Sequence, residues 1–95
     1  MKITIHTILE IRQALGQRLI EVDLPQDSTV EDLLAYMKKR WGEKLDFHLF
    51  NPDDGKILEH LQIMVNGQTI RFLKGMDTLL KENDEVLIMP LVSGG

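Results

Sequence analysis

One amphipathic segment in the middle of the chain restricts the folds that the sequence can adopt. Its apolar residues recur at helical spacing, at Val30, Leu33, Leu34, Met37 and Trp41. This spacing predicts a helix with one apolar face, which needs another surface to cover it. We find no second segment of comparable length with this period, so strands must supply the rest of the core.

Both ends of this helix are marked by residues that satisfy free backbone groups. Ser28 and Thr29 each have an acidic residue three positions later, which is the spacing of a capping box, so either hydroxyl can cap the first turn. Lys38–Arg40 complement the negative end of the helix dipole, and Gly42 predicts where the helix stops.

Apolar and polar residues alternate on both sides of the helix, as they do in half-buried strands. We assign strands to residues 2–7, 18–24, 61–65, 68–70 and 85–89. Asn66-Gly67 is typical of a type I′ hairpin turn, which needs a positive φ at both central residues. The segment Ile8–Gly16 is ambiguous and could form a helical turn. A hairpin connection there would make the first two strands antiparallel.

The predicted order β-β-α-β-β-β gives one helix and one sheet, which is an α+β domain of two layers. The expected architecture is the β-grasp, ubiquitin-like arrangement, with a mixed four- to five-stranded sheet and residues 85–89 at its centre. Leu45–Glu59 is predicted to be loop with a short irregular element, and Asp77–Leu80 a short 3₁₀ turn. We expect a single domain over residues 1–95, with a flexible tail at residues 90–95.

Composition excludes several classes of function. The 95 residues include 11 Lys+Arg and 15 Asp+Glu, a net charge of -4, which argues against nucleic-acid binding. The chain has no cysteine, so disulfides and thiolate chemistry are excluded. No apolar run approaches the ~18 residues of a membrane span. The alternating N-terminus lacks the apolar centre of a signal peptide, so we expect a cytoplasmic protein with no membrane partner.

Side-chain catalysis is not predicted. His6, His48 and His60 have no metal-ligand spacing, and Ser93 has no nearby base. We therefore expect no side-chain catalytic site, no metal site and no tightly bound cofactor.

The outer face of the predicted sheet is a candidate partner surface. If Val86 and Ile88 face the core, the period of two places Leu87 and Met89 outside, and Met64 lies outside by the same reasoning. An exposed apolar strip of this kind marks a binding surface, although these residues could instead pack under the loop Leu45–Glu59. The predicted partner-binding residues are Ile8, Met64, Leu87, Met89, Pro90, Leu91, Val92 and Ser93.

The last two residues, Gly94-Gly95, make the terminal carboxylate a candidate reactive group. Glycine has no Cβ, so such a tail can enter a site too narrow for a side chain. Chance or a cloning scar can also produce two glycines, and the doublet alone decides nothing.

Several short motifs, taken in order, resemble the small subunit of molybdopterin synthase, the MoaD type of the ThiS/MoaD sulfur-carrier family. They are Thr29-Val30 with Leu33, Val65-Asn66-Gly67, Asp77-Thr78 with Leu80, Asn83-Asp84-Glu85-Val86 and Met89–Gly95. Asp53–Lys56 is similar to the longer members of the family. Asn83 stands where the family has glycine, and Leu91 where it has a second proline.

The resemblance implies a sulfur carrier. In such proteins an E1-like adenylyltransferase (MoeB type) uses ATP to activate the terminal carboxylate, here that of Gly95 with Gly94 beside it. A persulfide donor then converts it to a thiocarboxylate. The large synthase subunit (MoaE type) supplies the catalytic pocket and uses the sulfur to build the dithiolene of molybdopterin.

Two relatives with other roles remain open as alternatives. One is a thiamine-pathway sulfur carrier (ThiS type), against which the insertion Leu45–Glu59 argues because those chains are usually shorter. The other is a ubiquitin-like protein modifier. Met89–Gly95 has no charged side chain, whereas ubiquitin-type tails have arginines before Gly-Gly, and this favours the sulfur carrier. A β-grasp interaction module with an incidental Gly-Gly is a further possibility.

Overall fold

A computed structural model of the chain describes residues 1–46, 48–59 and 61–90. The strands are β1 (Lys2–Thr7), β2 (Leu19–Asp23), β3 (Leu61–Val65), β4 (Gln68–Thr69) and β5 (Glu85–Pro90), and the α-helices are α1 (Leu9–Leu15) and α2 (Val30–Trp41). The strands form one five-stranded sheet in the order β2-β1-β5-β3-β4. Strand β5 is parallel to β1 and antiparallel to β3, so the predicted mixed sheet with residues 85–89 at its centre is confirmed.

Helix α2 and one face of the sheet share a hydrophobic core. The helix buries Val30, Leu33, Leu34 and Met37. The strands contribute the residues that the period of two predicts, namely Ile3, Ile5, Ile20, Val22, Ile63, Val65, Val86 and Ile88. Each large apolar side chain buried in this way stabilises the fold by about 1.5–3 kcal/mol. In the described part of the chain, the alternate residues of these strands are exposed or half-exposed on the other face of the sheet, here called the open face, and the partner-surface prediction concerns that face.

Thr29, and not Ser28, caps helix α2. The Thr29 hydroxyl accepts from the backbone N–H of Asp32 at 3.2 Å, and the Asp32 carboxylate accepts from the backbone N–H of Thr29 at 2.9 Å. Ser28 instead donates to the carbonyl of Pro25 at 2.8 Å. Trp41 at the other end is only partly buried and packs edge-on against Tyr36.

Helix α1 fills the segment that the sequence left ambiguous. It ends at Gly16, whose φ of 72° is in the left-handed region, and its Ile11 and Leu15 join the core. The connection between β1 and β2 is therefore a short helix, and the two strands are antiparallel as expected. Neither α-helix in the part of the chain described here has the length and apolar character to cross a membrane.

Two segments differ from the sequence prediction. The 3₁₀ turn covers Gly75–Asp77, not Asp77–Leu80, because Thr78 to Leu80 is extended and pairs with the start of α2. The predicted loop Leu45–Glu59 contributes to the core through Leu45, Leu49 and Phe50. A 3₁₀ helix at Gly42–Leu45 and a bridge between Phe50 and Ile57 order it.

Candidate functional site

The strand that leads to the predicted reactive end is held on both sides. Strand β5 pairs with β1 and β3, and its last residue, Pro90, is opposite Leu61. The predicted site residues Leu91, Val92, Ser93, Gly94 and Gly95 lie outside the described residues, and so does the side chain of Pro90. Strand β5, which precedes the predicted reactive residues, is therefore an inner strand of the sheet.

Strand register aligns a row of side chains across the open face. Leu87 of β5 is opposite Met64 of β3 on one side and beside His6 of β1 on the other. His6 is in turn opposite Leu19 of β2, which is 54% exposed. Met64 and Leu87 are half-exposed, so the sequence correctly predicted that both face away from the core.

A second row runs closer to the tail. Met89 is half-exposed and is opposite Gln62 of β3. Ile8 follows Thr7, which pairs with Ile88, so the continued register brings Ile8 beside Met89 on the open face. Ile8, Met64, Leu87 and Met89 therefore form an apolar strip along β5 and its two neighbouring strands, as the alternation predicted.

A shallow groove of about 400 Å³ lies on this face, lined by His6, Met64, Asn66, Gly67, Glu85 and Leu87. None of the described residues of the loop Leu45–Glu59 lines this groove, so those residues do not cover the strip residues Met64 and Leu87 there. His6 Nε2 and a Glu85 carboxylate oxygen are 2.7 Å apart at the edge of the groove. Both side chains are well exposed, so water screens their attraction.

Three residues of this surface, His6, Leu19 and Glu85, were not predicted from the sequence. The alternating pattern could have identified them, since each lies at a strand position that faces the same side of the sheet as Met64 or Leu87. The parallel pairing of β1 with β5 was not predicted, because a parallel neighbour cannot be read from local sequence.

The short motifs of the chain pack against each other in pairs. Asn66 of the hairpin turn donates from its side-chain amide to Asp84 at 2.9 Å and accepts from the backbone N–H of Glu85 at 2.9 Å. Asn66 and Gly67 have φ values of 51° and 83°, as a type I′ turn requires. Asn83 has a φ of 67°, which explains why asparagine can replace a glycine there.

The other two motifs meet at the start of α2. The backbone N–H of Val30 donates to the carbonyl of Thr78 at 3.0 Å, and that of Leu80 donates to Ser28 at 2.9 Å. The motifs thus fix the starts of β5 and α2.

Of the three histidines, His60 lies outside the described residues, and no cluster of three or more acidic or histidine side chains suited to a metal ion occurs among those described.

Comparison with known proteins identifies relatives of the whole domain. The family model described as "ThiS family" matches residues 8–95. A protein of Archaeoglobus fulgidus named as a sulfur carrier protein is 33% identical over 82 residues, which is 86% of this chain and 90% of that protein. Small archaeal modifier protein 3 of Haloferax volcanii is 30% identical over 95 residues, 100% of both chains.

Solved structures agree on the fold. The crystal structure of SAMP1 from Haloferax volcanii is similar with a TM-score of 0.82 at 25% identity, over 100% of both chains. A molybdopterin converting factor, subunit 1, from Pyrococcus furiosus is similar with a TM-score of 0.74 at 30% identity, over 96% of this chain and 98% of that one. The chain therefore belongs to the ThiS family and has its ubiquitin-like β-grasp fold.

Proposed function

We propose that the protein is a sulfur carrier whose functional group is the C-terminal carboxylate of Gly95. The observation that carries this proposal is family membership over residues 8–95, together with a relative named as a sulfur carrier at 33% identity. A domain of this kind acts through its terminus, so Gly94 and Gly95 are the proposed reactive residues and the β-grasp domain holds and presents them.

The proposed chemistry needs activation by a partner. A carboxylate is a poor electrophile, so an E1-like adenylyltransferase joins it to AMP from ATP and releases pyrophosphate. The terminal sulfur of a persulfide donor then attacks the acyl-adenylate carbonyl and displaces AMP. Cleavage of the resulting S–S bond by a thiol leaves a thiocarboxylate on Gly95. In this scheme the chain supplies the sulfur, and its partners supply the catalytic side chains.

The more specific proposal is the small subunit of molybdopterin synthase. In favour of it are the order of the motifs along the chain and the similarity to the Pyrococcus furiosus molybdopterin converting factor, subunit 1. The large subunit, of MoaE type, would accept the tail and use its sulfur for the dithiolene. An uncharged tail suits a water-excluded tunnel, since a buried charge without a partner is costly.

The open face of the sheet is the proposed docking surface for this partner. Met64, Leu87, Met89 and Ile8 provide apolar area beside the strand that leads to the tail, and methionine adapts to partners of different shape. Pro90, Leu91, Val92 and Ser93 would enter the partner with the reactive glycines. Docking by the face next to the tail lets one partner hold the domain while the terminus reacts.

A second candidate function, a ubiquitin-like protein modifier, is favoured by a specific observation. The modifier protein of Haloferax volcanii matches over its full length, and SAMP1 of the same organism has the same fold. Both candidates share the activated carboxylate and differ in the nucleophile that follows. In the first pathway a persulfide sulfur attacks the activated carboxylate, and a thiocarboxylate results. In the second a lysine amine attacks it and forms an isopeptide bond.

Reconstitution separates the two candidates. The purified chain is incubated with the adenylyltransferase of its native host, ATP and a persulfide donor, and then with the large subunit and the cyclic pyranopterin precursor. We expect molybdopterin to form, and formation should stop when Gly95 is deleted. Isopeptide-linked Gly-Gly on host lysines, with no molybdopterin formed, would favour the modifier instead. If neither product forms, both specific assignments fail, and if no thiocarboxylate forms on Gly95 the sulfur-carrier proposal fails as well.

A further inference from the structure

Phe72 is the most exposed of the large apolar side chains in the described chain, at 88%. Leu73 and Leu79 beside it are also exposed. The three residues, here called the Phe72 patch, line a groove of about 410 Å³ together with Lys74 and Thr78. Single exposed apolar residues are common, but an adjoining group that forms a groove is typical of an interaction surface.

The segment that carries Phe72 is well ordered by its own hydrogen bonds. The backbone N–H of Leu73 donates to Ile70 at 3.0 Å, and the Thr78 hydroxyl donates to the carbonyl of Gly75 at 2.7 Å. Ile70 and Leu80 anchor the segment in the core at its two ends. Phe72 is therefore held outside by the fold, and a partner would lose little chain entropy on binding it.

Two basic residues flank Phe72 within its own segment, although the chain as a whole is acidic. On the neighbouring start of α2, the Asp32 carboxylate accepts from the backbone N–H of Thr29 in the capping box. Arg71 and Lys74 flank Phe72 and Leu73, and both are exposed. The ion pairs in the described part of the chain join Lys2 with Glu21 and His6 with Glu85, so neither cation is used within the domain. Asp77 is the one carboxylate between β4 and Leu80, and it does not line the groove.

The patch is separate from the open face of the sheet. Leu79 forms a bridge with Thr29, the N-cap of α2, and so lies on the helix side of the domain. The groove on the open face has a completely different lining, which includes His6, Met64 and Leu87. A partner on the Phe72 patch would leave the apolar strip accessible to another protein.

We propose that the Phe72 patch is a second docking surface, for an acidic segment of another protein that has an apolar side chain between its carboxylates. The apolar side chain fills the groove beside Phe72, and the carboxylates meet Arg71 and Lys74. Charge complementarity of this kind orients and selects a partner. A second copy of this chain fits poorly, because a symmetric contact would oppose Arg71 and Lys74 to themselves.

Peptide selection against the intact protein tests this surface without a known partner. A random peptide library displayed on phage is selected on the full chain, and the recovered peptides are synthesised and titrated by NMR. We expect a large apolar residue flanked by Asp or Glu, with chemical-shift changes confined to residues 70–80. Phe72→Ala should weaken binding by about tenfold or more. Arg71→Ala and Lys74→Ala should weaken it and reduce its dependence on salt.

Leu87→Asp is the matched control, because it alters the other surface, and it should leave peptide affinity unchanged. Phe72 is outside the core, so Phe72→Ala should also keep the urea midpoint of the parent. Recovery of no binder, or only of peptides without acidic residues, would overturn the proposal. So would chemical-shift changes at Met64 and Leu87, or a peptide affinity that does not depend on Phe72. A dimer of the chain that Phe72→Ala dissociates would also overturn it.

Discussion

Met64 and Leu87 are directly opposite each other on β3 and β5, and both side chains face the open side of the sheet. Side chains at directly opposite positions of an antiparallel pair are close neighbours, so together they present an apolar surface. Leu87 belongs to the strand whose next residues form the proposed reactive tail. Strand β5 can therefore contribute both to partner docking, through Leu87, and to the proposed reaction, through the residues that follow it.

A charge at the centre of the apolar strip should weaken partner binding. Leu87→Asp places a carboxylate that would lose its water in the interface, so we expect at least about tenfold lower affinity for the large synthase subunit by calorimetry. Leu79→Asp is the control on the helix side and should bind as the parent does. Equal affinities for both variants and the parent would remove the strip from the docking surface.

The inward side of β5 should control stability. Ile88 is 1% exposed, so Ile88→Ala leaves a cavity and should lower the free energy of unfolding by about 2–5 kcal/mol. Met89 is on the opposite side of the strand and half-exposed, and Met89→Ala should cost clearly less. Urea unfolding measures both. Similar losses for the two variants would contradict the assigned orientation of β5.

The hairpin asparagine should have two separable roles. Asn66→Ala loses the bonds to Asp84 and Glu85 and also forces alanine to a positive φ, so we expect a loss of about 1–3 kcal/mol. Asn66→Gly keeps the turn geometry and loses only the side-chain bonds. The glycine variant should therefore be the more stable of the two in thermal unfolding. The reverse order would mean that the turn conformation is not the constraint.

Loss of the Thr29 cap of α2 should lower stability by a smaller amount, and a second substitution should restore it. Thr29→Ala removes the acceptor for the Asp32 N–H and should cost about 1 kcal/mol. Thr29→Asn restores an oxygen at the same position and should recover most of this loss, as followed by chemical denaturation. Ser28→Ala tests the alternative cap. A greater loss there in helix content than for Thr29→Ala would contradict the assignment.

The main elements could be predicted from sequence because their signals are local. The apolar period of α2, the alternation in β1 and β5, and Asn66-Gly67 each depend on neighbouring residues. Helix α1 was ambiguous, since its seven residues are too few for a clear period. The burial of Leu49 and Phe50 could not be anticipated, because the turn residues next to them predict a loop and their place in the core depends on tertiary packing.

The candidate site was predictable to the same extent. The alternation of side chains along β5 and β3 correctly predicted that Leu87 and Met64 face away from the core. It did not give His6 as their neighbour, since the parallel pairing of β1 with β5 joins residues far apart in sequence. The Phe72 patch was missed for a similar reason, because the irregular segment after β4 has no period from which exposure can be read.

The mass of the intact protein purified from its native host tests the central claim most directly. We predict a species heavier than the encoded chain by the difference between one sulfur and one oxygen atom, located in the C-terminal peptide and absent when Gly95 is deleted. The deletion variant should unfold at the same urea concentration as the parent. A terminus that carries only oxygen under conditions of cofactor synthesis, or that extends beyond Gly95, would contradict the account.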